Sequence, residues 1–188
     1  MKKRLLVHVC CAPDALYVLG LLKDEFELAG FFFNPNIHPP DEYHKRLEET
    51  RKVARLLDVP LIEDIYEPGK WLDVTEKFWD EPEKGRRCDI CYAWRLKRTA
   101  ETAAEQRFQG FATVMTVSPW KKAPVINRIG RMFSQRYGIE FVEGDFKKKD
   151  GFKKSVELSR RYGLYRQDYC GCIWSLEEAL TKRRRTAT

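Results

Sequence analysis

The sequence predicts an α/β protein: an open, mostly parallel sheet with helices on both faces, carrying cysteine-bearing insertions. Three observations lead there. Apolar runs of strand length alternate with longer stretches whose apolar residues recur at helical spacing. Such alternation folds into strand–helix–strand units around a parallel sheet. No internal repeat or low-complexity linker interrupts the pattern, so residues 1–188 read as a single domain. The Cys10-Cys11 pair directly follows the first strand-like run, at the carboxyl end where sheets of this kind bind ligands.

Residues 4–9 (RLLVHV) form the first predicted strand, apolar enough to be buried on both faces. Residues 14–25 follow as a helix with Leu16, Leu19 and Leu22 at helical spacing and Asp14 near its positive end. Residues 28–33 (LAGFFF) give a second strand, ending in the breaker-rich loop NPNIHPP. An amphipathic helix at 41–57, opened by Pro40 and Asp41, leads to a third strand at 60–65. Residues 69–79 read as helix, 82–87 as a polar loop, and 89–106 as a long helix with Trp94, Leu96 and several alanines. Residues 111–117 (FATVMTV) are the fourth predicted strand. The helix at 123–137 takes Pro124 in its first turn, where a missing N–H is tolerated. A short extended piece at 141–143, helices at 151–162 and 173–182, and a frayed basic tail at 182–188 complete the chain.

No apolar run approaches the roughly 18 residues of a membrane helix, so no membrane association is expected. The short run entering the Cys10-Cys11 motif is not a targeting segment, and the expected location is the cytoplasm. The net charge of +7, from 35 Lys+Arg against 28 Asp+Glu, favours a polyanionic partner such as nucleic acid. Charge alone does not decide this, because many basic enzymes never touch nucleic acid.

Six cysteines fall into three tight groups: Cys10-Cys11, Cys88-x-x-Cys91 and Cys170-x-Cys172. In a reducing compartment such spacing points to metal or redox chemistry rather than disulfides. The C-x-x-C group can place two thiolates on one metal at the start of a helix, an end that also favours anionic sulfur. Three readings compete. Zinc takes four ligands, commonly from two such knuckles, and only one is present. A 4Fe–4S cluster also takes four thiolates and leaves two for a second metal or a redox pair. A thioredoxin-like dithiol leaves four cysteines without a purpose. The cluster is the favoured reading. Neighbouring side chains on an extended chain diverge, so Cys10 and Cys11 are expected to serve different centres.

The segments HVCCAPDA, FFFNPNIHPPDEY, RRCDICYAWRL and YRQDYCGC together resemble the QueH-type, cobalamin-independent epoxyqueuosine reductases over nearly the whole chain. That resemblance implies a fold like the nucleotide-binding HUP domains, a 4Fe–4S cluster and an adjacent mononuclear iron. It also implies a tRNA partner carrying epoxyqueuosine at the wobble position, and an external electron donor. The implied reaction turns the cyclopentane epoxide of epoxyqueuosine into the alkene of queuosine, with two electrons and two protons.

Several residues then become candidates. Asp14 reads as an oxygen ligand or proton source, or as a helix cap. Asp168 and Tyr169, beside Cys170, read as proton donors, as hydrogen-bond partners of sulfur, or as turn and packing residues. His8 reads first as a satisfied core histidine. Asn34, Asn36 and His38 lie at the predicted site edge, able to read the modified base or ribose, although such loops also arise for backbone reasons. Trp120, Lys121 and Lys122 follow the fourth strand and suit an anticodon loop through stacking and phosphate contact. Arg86-Arg87 and the Lys182–Arg185 run add basic surface. Two rival readings are an ATP-using tRNA-thiolation enzyme and a metal-stabilised RNA-binding module. The first strand leads into Cys-Cys-Ala-Pro-Asp-Ala without the glycines of a pyrophosphate loop, which counts against ATP.

Overall fold

The computed structural model of the chain describes residues 1–186. Five strands, β1 (Lys3–His8), β2 (Phe26–Phe32), β3 (Leu61–Glu63), β4 (Gly110–Thr113) and β5 (Glu140–Phe141), form one sheet. Their order is β3-β2-β1-β4-β5 and every pairing is parallel. The helices are α1 (Ala12–Leu22), α2 (Pro40–Leu57), α3 (Pro68–Thr75), α4 (Arg86–Glu105), α5 (Ala123–Tyr137), α6 (Gly151–Arg161) and α7 (Ile173–Thr186).

The expected parallel α/β architecture is present, and it is Rossmann-like. The chain winds outward from β1 to β2 and β3, then returns to add β4 and β5 on the other side. Right-handed crossovers place the helices of the two halves on opposite faces. Accordingly α1 packs against α2 and α4 against α5, whereas α6, which follows β5, returns to pack against α1. The last four residues of β1, Leu5, Leu6, Val7 and His8, are all buried, as befits a central strand covered on both sides. The strand order reverses between β1 and β4, and the crevice at their carboxyl ends is the natural ligand site. Cys10 leaves β1 into that crevice.

Some boundaries differ from the sequence reading. The fourth strand stops at Thr113 and Val114–Val117 coil into a 3₁₀ turn, because Thr113 Oγ1 accepts a hydrogen bond from Met115 N (3.2 Å) and caps it. Helix α4 starts at Arg86, inside the segment read as loop, so Cys88 falls within its first turn. The basic tail read as frayed from 182 continues α7 as far as Thr186; residues 187 and 188 lie outside the described residues. Pro124 does sit in the first turn of α5. No helix among the described residues is long and apolar enough to cross a membrane.

Candidate active site and metal centre

Each cysteine group sits at a helix N-terminus. Cys11 is the N-cap of α1, Cys88 and Cys91 lie in the first two turns of α4, and Cys172 immediately precedes α7. The open N–H groups of these ends face sulfur directly: Lys84 N donates to Cys88 Sγ (3.2 Å), and Ser175 N donates to Cys172 Sγ (3.4 Å). All six cysteines are free thiols.

The first group contradicts the expected divergence of neighbours. The ligand atoms of Cys10, Cys11 and Asp14 all lie within 4.8 Å of one another, and all three residues are buried. The reason is the turn from strand into helix at Cys11, which removes the pair from extended geometry. Asp14, in the first turn of α1, then points back at the same place. A hydrogen bond from the Cys11 thiol lowers Cys10 to about 7, and the same bond raises Cys11 above the ordinary thiol range. Burial raises Asp14, against the pull of Lys121.

Cys88, Cys91, Cys170 and Cys172 make up the other two pairs, and their charges act on one another. Cys91 and Cys172 pack against the buried Trp71. Burial pushes Cys88 up to about 12, with the Cys170 charge adding to it, and burial likewise raises Cys91. The expected lowering by the helix end is therefore outweighed, because desolvation penalises the thiolate more than one helix terminus helps it. Crowded thiols of this kind become thiolates when a metal cation supplies the compensating charge.

Cations surround these thiols. Arg95 is 1% exposed; its Nε donates to the Cys91 carbonyl (3.3 Å), and its Nη2 has no acceptor. Lys121 is half-buried; burial would lower its ammonium, but the charges of Cys170 and Cys10 outweigh that and raise it. Arg46, on α2, donates through Nη1 to Cys170 O (3.0 Å) and through Nη2 to Tyr169 O (3.2 Å), while its Nε donates to Glu42 (2.6 Å). Gly171, at φ +130, passes beside this guanidinium: a Cβ there would stand 3.1 Å from Arg46 Nη1. The Cys170–Cys172 turn thus needs glycine for both conformation and room.

Arg46 and Lys121 border a cavity of about 440 Å³ that Cys10, Asp14, Cys170, Trp120 and Tyr169 also line. Asp168 also lines it and is paired with Arg183 of α7. The Tyr169 hydroxyl donates to the His38 carbonyl. Trp120 is 63% exposed at the mouth, with Lys84 Nζ 5.2 Å from its ring centroid. Lys122 is exposed and stands outside the lining.

Asn34, Asn36 and His38 are also outside that lining. Asn34 Nδ2 donates to Val9 O (2.8 Å), and His38 N donates to Gly171 O (2.7 Å), so their loop seats the Cys170–Cys172 turn. His8 is a core histidine, as first read. Its Nε2 faces the Phe33 carbonyl (3.2 Å) and must carry the proton; its Nδ1 then accepts from Thr113 Oγ1 (3.1 Å). Burial pushes His8 down to about 3.

The sequence reading missed Arg46, Trp71, Arg95 and Ser155. The last is wholly buried and places its Oγ within reach of Asp14. Arg95 carried a usable signal, lying four residues after Cys91 and so on the same helix face.

The donor set fits a metal-bearing site. It offers soft sulfur ligands with one carboxylate, and two buried donors beside the sulfurs, Trp71 Nε1 and Arg95 Nη2, lack acceptors.

Comparison with known proteins agrees with this geometry. A family model described as "Epoxyqueuosine reductase QueH" matches residues 5–178. The chain is 36% identical over 181 residues to epoxyqueuosine reductase QueH of Streptococcus pyogenes serotype M1, covering 93% of this chain and 71% of that one. Identity to the Thermotoga maritima QueH is 39% over 181 residues, covering 94% and 92%. In fold alone, the chain is similar to the crystal structure of a predicted subunit of tRNA methyltransferase from Methanocaldococcus jannaschii, with TM-score 0.57, 12% identity, and 81% and 76% of the two chains covered. The thiol groups gathered at the β1–β4 crevice and the match across nearly all of the sheet lead to one conclusion: this chain belongs to the epoxyqueuosine reductase QueH family.

Proposed function

We propose that the protein reduces the epoxide of epoxyqueuosine in tRNA to the alkene of queuosine. The carrying observation is the convergence of Cys10, Cys11 and Asp14 within 4.8 Å of one another, with Cys10, Asp14 and Cys170 lining one cavity at the carboxyl end of β1. Cys88, Cys91, Cys170 and Cys172 would hold a 4Fe–4S cluster. Cys10, Cys11 and Asp14 would hold the adjacent mononuclear iron. When bound, these groups supply electrons one at a time and Lewis acidity toward the epoxide oxygen.

The reaction removes one oxygen as water and consumes two electrons and two protons, so the chain must deliver protons while excluding bulk solvent. Lys121 holds its ammonium in the cavity, where it offsets negative charge on the departing oxygen. The Tyr169 hydroxyl is committed to the His38 carbonyl, which leaves Asp168, at the exposed rim, better placed to pass protons inward from water. Trp120 at the mouth offers a stacking face for an unpaired base, and Lys122 and the basic end of α7 suit the phosphates beside it. An external donor supplies the electrons, and reduced thiols suit a cytoplasmic setting.

The test is anaerobic reconstitution with iron and sulfide, followed by incubation with epoxyqueuosine-tRNA and a strong reductant. Nucleoside mass spectrometry should show queuosine. A fully loaded, brown protein that forms none would overturn the assignment.

A further inference from the structure

Arg95 occupies an unusual position for an arginine. It is 1% exposed in the middle of α4. A guanidinium buried that deeply normally meets a carboxylate or several carbonyls. Here the contacts are a single 3.3 Å hydrogen bond from Nε to the Cys91 carbonyl and the ring of Tyr92, 5.8 Å from the guanidinium carbon. Nη2 is buried with no acceptor at all. No carboxylate answers its charge among the described ion pairs. The groups that answer it are chiefly sulfur, Cys91 first and then Cys10 and Cys170, one from each thiol pair, with the Tyr92 phenol behind them.

Metal ligation turns thiols into thiolates, which concentrates negative charge in a largely buried site. Every electron added to such a site raises that charge further. A fixed, buried cation next to the ligands, with a donor still free, stabilises the electron-rich state more than the electron-poor one. Charge and hydrogen bonds to sulfur are the levers by which proteins set the potential of such centres.

We propose that Arg95 is a positioning and electrostatic residue that donates through Nη2 to the sulfur of the metal centre and raises its reduction potential. Its own turn carries Cys91, and the charges of Cys10 and Cys170, from the other two pairs, act on it as well. The arginine thereby makes the reduced centre accessible to a biological donor, and couples the electron reservoir to the place where the epoxide is opened. This inference rests on the cluster-bearing assignment of the preceding section.

The experiment compares the reconstituted parent with Arg95→Gln, which loses the charge, and Arg95→Lys, which keeps it. The readout is the midpoint potential from an anaerobic redox titration followed by electron paramagnetic resonance, with iron per chain measured in parallel. The Gln variant should shift to a more negative potential, and the Lys variant should stay near the parent. A loaded Gln variant with the parental potential overturns the proposal. So does a Lys variant that falls as far as Gln, since packing rather than charge would then matter. Where Gln takes up no iron, Lys decides: parental potential supports the proposal, and a lowered potential or a folded protein without iron overturns it. A parent that takes up no iron would instead sink the cluster assignment itself, so the two failures are distinguishable.

Discussion

Ser155 of α6 sets its Oγ 3.3 Å from Oδ1 of Asp14 on α1 and 3.1 Å from the carbonyl oxygen of Pro13. One hydroxyl hydrogen cannot serve both acceptors. When Asp14 is protonated, it donates to Ser155 Oγ and the serine donates to Pro13; when Asp14 is ionised, the serine can turn to it. Either way the serine fixes the direction of the carboxylate. Ser155→Ala should cost about 1 kcal/mol of stability, and should lower the iron bound beyond the cluster while brown colour persists. Metal analysis with absorbance spectroscopy checks this; an unchanged iron content would show that Asp14 orients itself.

Arg46 closes the Tyr165–Cys172 segment onto α2. It holds the carbonyls of Tyr169 and Cys170 and pairs with Glu42, which also accepts from the Tyr165 hydroxyl (2.9 Å). Arg46→Met strands a buried carboxylate and should cost about 3–5 kcal/mol in urea unfolding. Hydrogen exchange should rise first across residues 165–172. Adding Glu42→Gln should recover part of the loss, because the stranded charge goes with it.

His8 gives the protein a pH dependence in the acid range. Its folded value of about 3 lies below the ordinary 6.5, because burial disfavours the imidazolium. Between those values the unfolded chain binds the proton and the folded chain does not, so the contribution of His8 is complete above pH 6.5 and is lost as pH falls toward 3. His8→Phe leaves Phe33 O unpaired and takes the acceptor from the Thr113 hydroxyl hydrogen, and should be about 1–3 kcal/mol less stable at neutral pH. Its stability should fall less steeply than the parent's over that window. Parallel slopes in pH-resolved denaturation would refute the assignment.

Lys121 and Lys122 are adjacent yet face different worlds, one the cavity and the other solvent. Lys122→Glu should weaken tRNA binding and flatten its salt dependence, with turnover at saturating tRNA retained. Lys121→Met should lower turnover with little change in that salt dependence. Trp120→Ala should cost about 1–3 kcal/mol of tRNA affinity if a base stacks there. Filter binding over a salt series, with single-turnover rates, separates the three.

The sheet and its winding were legible because β1, β2 and β4 are apolar runs in fixed alternation with helices. Boundaries were less so. Thr113 ends β4 through a side-chain cap, an interaction that apolar pattern does not register. The three cysteine groups marked the site, but their partition was not readable, since it depends on the turn at Cys11 that brings Asp14 back to its neighbours. The cations were harder still. Arg46 and Arg95 sit in charged stretches where an arginine ordinarily faces water, and only the docking of the 165–172 segment and of α4 on the sheet buries them. Asn34, Asn36 and His38 read as substrate contacts at the site edge, whereas in the structure they lie outside the cavity lining and the loop's hydrogen bonds run to backbone carbonyls, that of Gly171 among them.

The seating of the Cys170–Cys172 turn against Arg46 and the 34–38 loop has a consequence for biogenesis. A growing chain exposes Cys10, Cys11, Cys88 and Cys91 well before the final pair leaves the ribosome. Two of the four thiols proposed for the cluster therefore arrive last. On that assignment an incomplete polypeptide could not complete the cluster site, and cluster insertion would be a late maturation step that waits for the carboxyl-terminal segment. On the same assignment, chains cut before residue 170 would fail to retain the cluster even with a well-formed sheet, which would let cluster content report the integrity of the carboxyl-terminal segment.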